Sequence, residues 1–353
     1  MIRFGPAGIP LSCKGRTLTD GIEDVHNLSL TAMQIPMILS SVMERPADYD
    51  DEVGRTLMEF EEDAFVVEII RDGESIFDVN EPIEEDDTLV QAFSWIANRT
   101  GDLFKIGKMA RRLDVSLSMR TPHYIDLGSN HELTDDGIAN LQRAAFLTDA
   151  LGGSTVVTNL GVYTGELPDD EIDGNIRENV AGLMEWWKDC GFKPRLGIEI
   201  TGHEQVFGSV EQVLELCGEI DGLVPVVNFA NHHARTAGGL FEADDFADLV
   251  DMVSPYSGGR VHTIFSGVEY GGPMPRLTPI KKGDLKFETF AEYLVDARPE
   301  LDVISASPLL EHDAMYMRVI YERVLNRMVA KRLRQQRKEA EEAAKAAAAE
   351  EKE

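Results

Sequence analysis

Cysteine is nearly absent: Cys13, Cys190 and Cys217 lie far apart in a chain of 353 residues. That count and spacing exclude a disulfide framework and a cysteine-rich zinc module, and they suit a reducing compartment. Long hydrophobic runs are missing as well. No stretch reaches the ~18 apolar residues of a membrane-spanning helix, so no membrane partner is expected. The first residues have no signal-peptide shape, which makes the cytoplasm the expected location. Positive charge is scarce, with 34 Lys and Arg against 63 Asp and Glu and a formal net charge of −29. The acids are scattered along the chain, and Arg is commoner than Lys. This is the pattern of a halophilic protein, whose self-repulsion is screened within a few ångströms in concentrated salt. A chain built to hold basic partners would gather its acids into a block. No linker divides the sequence, so residues 1–325 read as one domain, followed by a charged helical tail over 326–353.

What is present is a regular alternation of short apolar runs and amphipathic helices. Met1–Pro10 reads as a strand and Gly turn, followed by a helix over Thr19–Leu30 capped by Thr19 or Asp20, and a strand at Thr31–Met37. Further strands are expected at 115–119, 155–159, 195–200, 224–230, 261–265 and 303–306, each preceded by a helical stretch. The last helix begins near His312. Eight such units favour a closed α/β barrel, a (β/α)8 TIM barrel, over an open doubly wound sheet. Between the second strand and the next helix lies an acid-rich insertion, Glu44–Asp87. Its runs Phe65–Ile70 and Ser75–Val79 flank Asp72-Gly73, a strong hairpin signal. The expectation is a β-hairpin outside the barrel sheet, on the rim at the carboxyl ends of the strands. Basic residues crowd the final helix from Arg327 to Lys338. A solvated helix is the simpler reading of that run, and contact with phosphate or a partner protein through the tail is the other.

The stretch Arg195–Ser209, RLGIEITGHEQVFGS, is the most informative. Leu196-Gly197-Ile198 reads as an inner strand, and Glu199 stands at its carboxyl end, where the chemistry of such barrels sits. Ser209 is a good N-cap for the helix that follows. A carboxylate buried there needs a partner.

Read strand end by strand end, the chain resembles the endonuclease IV family of metal-dependent apurinic/apyrimidinic endonucleases, which have xylose-isomerase-like barrels, and its archaeal members in particular. The resemblance rests on Ile2–Pro10, Arg120-Thr121-Pro122-His123-Tyr124-Ile125-Asp126 after the third strand, and Ile198-Glu199-Ile200-Thr201-Gly202 with Phe207-Gly208-Ser209 after the fifth. It continues in Asn228-Phe229-Ala230-Asn231-His232-His233-Ala234-Arg235 after the sixth strand and His262-Thr263-Ile264-Phe265-Ser266-Gly267 on the seventh. It implies a barrel whose strand ends hold zinc through His, Asp and Glu to activate water for phosphodiester hydrolysis.

Carried over position by position, only Glu199 and His262 survive as catalytic ligands. The other family ligand positions hold Arg120, Asn159, Asn228, Asn231 and Ala306, which are poor zinc donors or none. The resemblance therefore implies a degenerate metal site. Arg120, His123, Tyr124, Asn159, Asn228, Asn231, His233, Arg235 and Ser266 become candidate ligand-binding residues. No cofactor is expected, unless one weak zinc or manganese site survives at Glu199, His262 and His233. Arg120 is expected to take the vacated cation position and pair with Glu199. The function implied is an endonuclease IV-like barrel, non-catalytic or catalytically altered, that binds a sugar-phosphate or nucleic-acid-type ligand. The alternatives are an active metal-dependent endonuclease of DNA repair and a sugar-phosphate isomerase or epimerase. The last would need a carboxylate pair opposite Glu199, which the strand ends do not supply.

Overall fold

The computed structural model describes residues 1–15, 17–60, 64–122, 124–272 and 274–350, with side chains described through 342. Eight strands run parallel around a barrel: β1 (Ile2–Pro6), β2 (Ala32–Pro36), β7 (Ser116–Arg120), β8 (Thr155–Thr158), β9 (Arg195–Glu199), β10 (Leu223–Asn228), β11 (Val261–Phe265) and β14 (Leu301–Ser305). The ladder runs from β2 through β7, β8, β9, β10, β11 and β14 to β1, as sequential βα units require. At the seam, the Thr31 amide donates to the Phe4 carbonyl. Gly5 permits this approach, since a Cβ there would lie 1.7 Å from the Ala32 carbonyl oxygen. The expected (β/α)8 architecture is the one found.

Helices α1 (Leu18–Asn27), α2 (Thr100–Arg112), α3 (Glu132–Ala150), α4 (Asp169–Asp189), α5 (Val210–Glu219), α7 (Ala243–Val253), α8 (Phe287–Ala297) and α9 (Glu311–Glu350) surround the strands. Their apolar faces and the outward sides of the strands form the large core. Inside the barrel a second, smaller core consists of Ala32, Val157, Val226, Ile264 and Ile304. Strand alternation then sets Gln34, Asn159, Asn228 and Ala306 two positions further along, on the same inward face. The site is thus built directly above this plug.

Several local expectations need correction. Thr17, not Thr19 or Asp20, caps α1, and Asp20 completes the capping box as its third residue. Residues 229 and 230 do not prolong the sixth barrel strand. Asn228 accepts from the Asn231 amide and caps a short helix, α6 (Phe229–Arg235). Ser209 caps α5 as expected, in a capping box with Gln212.

The insertion is wider than 44–87. Strands β3 (Ser41–Pro46), β4 (Val66–Arg71), β5 (Glu74–Ile76) and β6 (Thr88–Phe93) form a separate four-stranded antiparallel sheet. Its hairpin turns at Asp72 and Gly73, both at positive φ (53° and 83°), as this turn chemistry demands. The sheet leaves the rim and runs down the flank of the barrel. Phe77 packs against Phe146 of α3 and Trp186 of α4, and the buried Glu68 pairs with Arg143 of α3 at 2.9 Å. An amphipathic sheet buries its apolar face where apolar helix surface is available, and that surface lies on the flank. No sequence pattern announced the small hairpin of β12 (Gly267–Glu269) and β13 (Arg276–Thr278), which lies beside the pocket mouth. No described helix is long and apolar enough to cross a membrane.

Candidate ligand-binding site

At the carboxyl ends of the strands lies a cavity of about 370 Å³. Its polar lining is Gln34, Arg120, Asn159, Glu199, Asn228 and Asn231, and its apolar wall includes Ile264, Leu277, Ala306 and Leu310. Glu199 ends β9 and is 1% exposed. A carboxylate at that depth requires compensating donors. Three side chains supply them. The Arg120 guanidinium, from the end of β7, forms an ion pair with Oε2. Asn228 Nδ2 donates to Oε1 at 2.6 Å, and Asn231 Nδ2 donates to the same oxygen at 3.3 Å and to the Ile200 carbonyl. The expected pairing of Arg120 with Glu199 is present.

His262 lies below this layer. It is 5% exposed and does not line the cavity. Its Nε2 is 3.2 Å from Gln34 Nε2, and its Nδ1 faces Asp302 at 3.9 Å. Asp302 in turn accepts from Arg260 at 2.8 Å. Burial pushes the His262 imidazole below its ordinary pKa, against the pull of Asp302 and Glu199.

The remaining candidates divide. Asn159 lines the cavity, and its Oδ1 is buried without a hydrogen-bond partner. Tyr124 is 76% exposed and outside the cavity lining, and His123 lies outside the described residues. His233 is buried elsewhere. Its Nδ1 accepts from the Leu240 amide, its Nε2 faces Asp284 at 3.2 Å, and its ring meets Tyr270 edge-on. Arg235 braces the loop after β9 through Thr201, His203 and Val206. Ser266 is fully buried beyond the cavity, its hydroxyl unpartnered. Gln34 was missed, although a lone amide within Ala32-Met33-Gln34-Ile35-Pro36 marks an inward polar position in an otherwise apolar strand.

The donor set does not fit a zinc cluster. Among the described residues no group of three or more His, Cys, Asp and Glu is arranged to hold a metal, and neither His262 nor His233 lines the cavity with Glu199. Oε1 of Glu199 accepts from two side-chain amides, and Oε2 lies against the Arg120 guanidinium, so a positive charge already stands where a metal ion would bring one.

A family model described as xylose isomerase-like TIM barrel matches residues 77–303. The chain belongs to this family. Its barrel is similar to endonuclease IV from Thermus thermophilus, with a TM-score of 0.55 and 16% identity over 91% of this chain and 99% of that one. It is also similar to SacUVDE, with a TM-score of 0.55 and 16% identity over 88% and 85% of the two chains. L-ribulose 3-epimerase aligns with a TM-score of 0.53 and 13% identity over 97% of each chain. These likenesses concern the fold. In sequence the chain is 26% identical over 215 residues to uncharacterized protein MJ0133 of Methanocaldococcus jannaschii, covering 59% of this chain and 77% of that protein. Membership thus lies with the xylose isomerase-like barrels as a whole, a broader group than the endonuclease IV family that the motifs resemble.

Proposed function

We propose that this xylose isomerase-like barrel is a metal-independent binding protein for a small, neutral, sugar-type ligand, with the family's metal-dependent chemistry lost. The observation that carries this reading is that Glu199 is ion-paired with Arg120 through one oxygen and hydrogen-bonded by Asn228 and Asn231 through the other. A carboxylate so held is neither a metal ligand nor a free general base. The cavity is of small-ligand size and offers side-chain amides above an apolar plug, which suits hydroxyl groups arranged on a compact ring. Arg120 is the one cation in its lining among the described residues, and Glu199 balances its charge. A phosphate ester would have to compete with Glu199 for the guanidinium, whereas a neutral sugar would not. The neutral sugar is thereby favoured over the sugar-phosphate and nucleic-acid-type ligands. Hydrolysis of abasic DNA has only the likeness of fold and motif in its favour, and a fold alone does not carry an activity.

Titration calorimetry with neutral pentoses and hexoses, and with their phosphate esters, tests the reading. Heat of binding is expected from a neutral sugar and is expected to weaken in Asn159→Ala. Binding confined to the phosphate esters, or metal-dependent cleavage of abasic DNA lost in Glu199→Gln, would refute it.

A further inference from the structure

The last helix carries a feature the pocket does not use. Residues 323–338 contain seven Lys and Arg and no Asp or Glu, in a chain whose formal net charge is −29. Arg327 pairs with Glu292 of α8, and Arg332 pairs with Asp296 at 2.8 Å, near the carboxyl end of that helix. Beyond Met328 every residue through Glu342 is exposed, so α9 projects past the barrel. It does so at the face opposite the pocket, because the barrel helices run against the strands. Arg323, Lys331, Arg334 and Arg337 have no carboxylate partner among the described residues. At 100° per residue these four fall within an arc of about 120° and span about 21 Å of helix. Arg327, held by Glu292, falls within the same arc, and the four cations without a carboxylate partner flank it along the helix.

We propose that this stripe binds the sugar-phosphate backbone of a nucleic acid without sequence preference. A row of unpaired cations matches a regularly spaced polyanion, and binding there is driven by counterion release. The projection of the helix matters. At physiological salt the Debye length is about 8 Å, so Lys331, Arg334 and Arg337, on the arm beyond Met328, present their charge with the barrel's repulsion screened. Among the described residues, Val329 and Leu333 are the only large apolar side chains exposed beyond Met328, too little surface for a membrane anchor. The proposal is independent of the ligand in the barrel pocket.

Fluorescence anisotropy of the full chain with a short labelled DNA duplex and with a short labelled RNA, across a salt series, provides the test. Its comparison is the exposed-surface variant Arg323→Gln, Lys331→Gln, Arg334→Gln, Arg337→Gln, with circular dichroism to verify the fold. Binding to at least one polymer is expected, with an affinity lowered about tenfold or more in the variant. The slope of log affinity against log salt should also be shallower in the variant, by up to ~0.9 for each phosphate that is no longer neutralised. Absence of binding at low salt, or an unchanged slope and affinity in the variant, would overturn the proposal. So would light scattering that shows a dimer of the wild type, dissociated in the variant, without nucleic-acid binding. That result would assign the stripe to a second copy of the chain.

Discussion

Arg120 and Glu199 close an ion pair between the ends of β7 and β9, across the single intervening strand β8. The carboxylate is almost wholly buried, and the guanidinium side chain is 18% exposed. Removing one partner therefore leaves the other uncompensated in a low-dielectric site, which is far more costly than replacing both. Arg120→Ala is expected to lower stability by about 3–5 kcal/mol in urea denaturation. Arg120→Met combined with Glu199→Gln should recover much of that loss. A single variant within about 0.5 kcal/mol of wild type would mean that the pair is solvated and the site differently arranged.

His262 gives stability a pH dependence whose sign follows from its burial. The folded imidazole has a lowered pKa, so the unfolded chain takes up a proton at a higher pH than the folded one. Its contribution is present above the unfolded value of about 6.5 and is lost as pH falls below it, at up to about 1.4 kcal/mol per unit. His232, lowered chiefly by its own burial, adds to the same window. Melting temperatures between about pH 7.5 and 5 should fall towards acid, and the fall should be shallower in His262→Gln. An equally steep profile in that variant would place the titration elsewhere.

Phe77 fastens the insertion sheet to the barrel flank through Phe146 and Trp186, at ring separations of 5.9 and 5.3 Å. Phe77→Ala is expected to cost about 3–5 kcal/mol if the sheet and barrel unfold together. If the sheet opens by itself, limited proteolysis should cut first within residues 41–93. Unchanged stability together with unchanged cleavage would show that these ring packings do not hold the sheet.

Much of this fold could be read from the sequence, because a barrel strand buried on both faces leaves a short apolar run that stands out between amphipathic helices. Asp72-Gly73 gave the hairpin, since few dipeptides tolerate two positive φ angles. The Arg120–Glu199 pair was legible from the strand-end positions combined with the need to neutralise a buried acid. Other features were hidden for physical reasons. The route of the insertion depends on Phe77 finding Phe146 and Trp186, which are far from it in sequence. The sixth strand ends at Asn228 because its side chain caps α6, a choice that apolar Phe229-Ala230 obscures. His233 looked like a pocket residue by its place in a motif, yet its position on α6 turns it towards Asp284.

In this reading the strand ends hold an arginine–carboxylate pair in place of a metal centre. Equilibrium dialysis of the full chain against zinc and against manganese, followed by elemental analysis, tests it most directly. No stoichiometric uptake of either ion is expected, with the same trace content in wild type and Glu199→Gln. Stoichiometric zinc or manganese in the wild type that disappears in Glu199→Gln would contradict it.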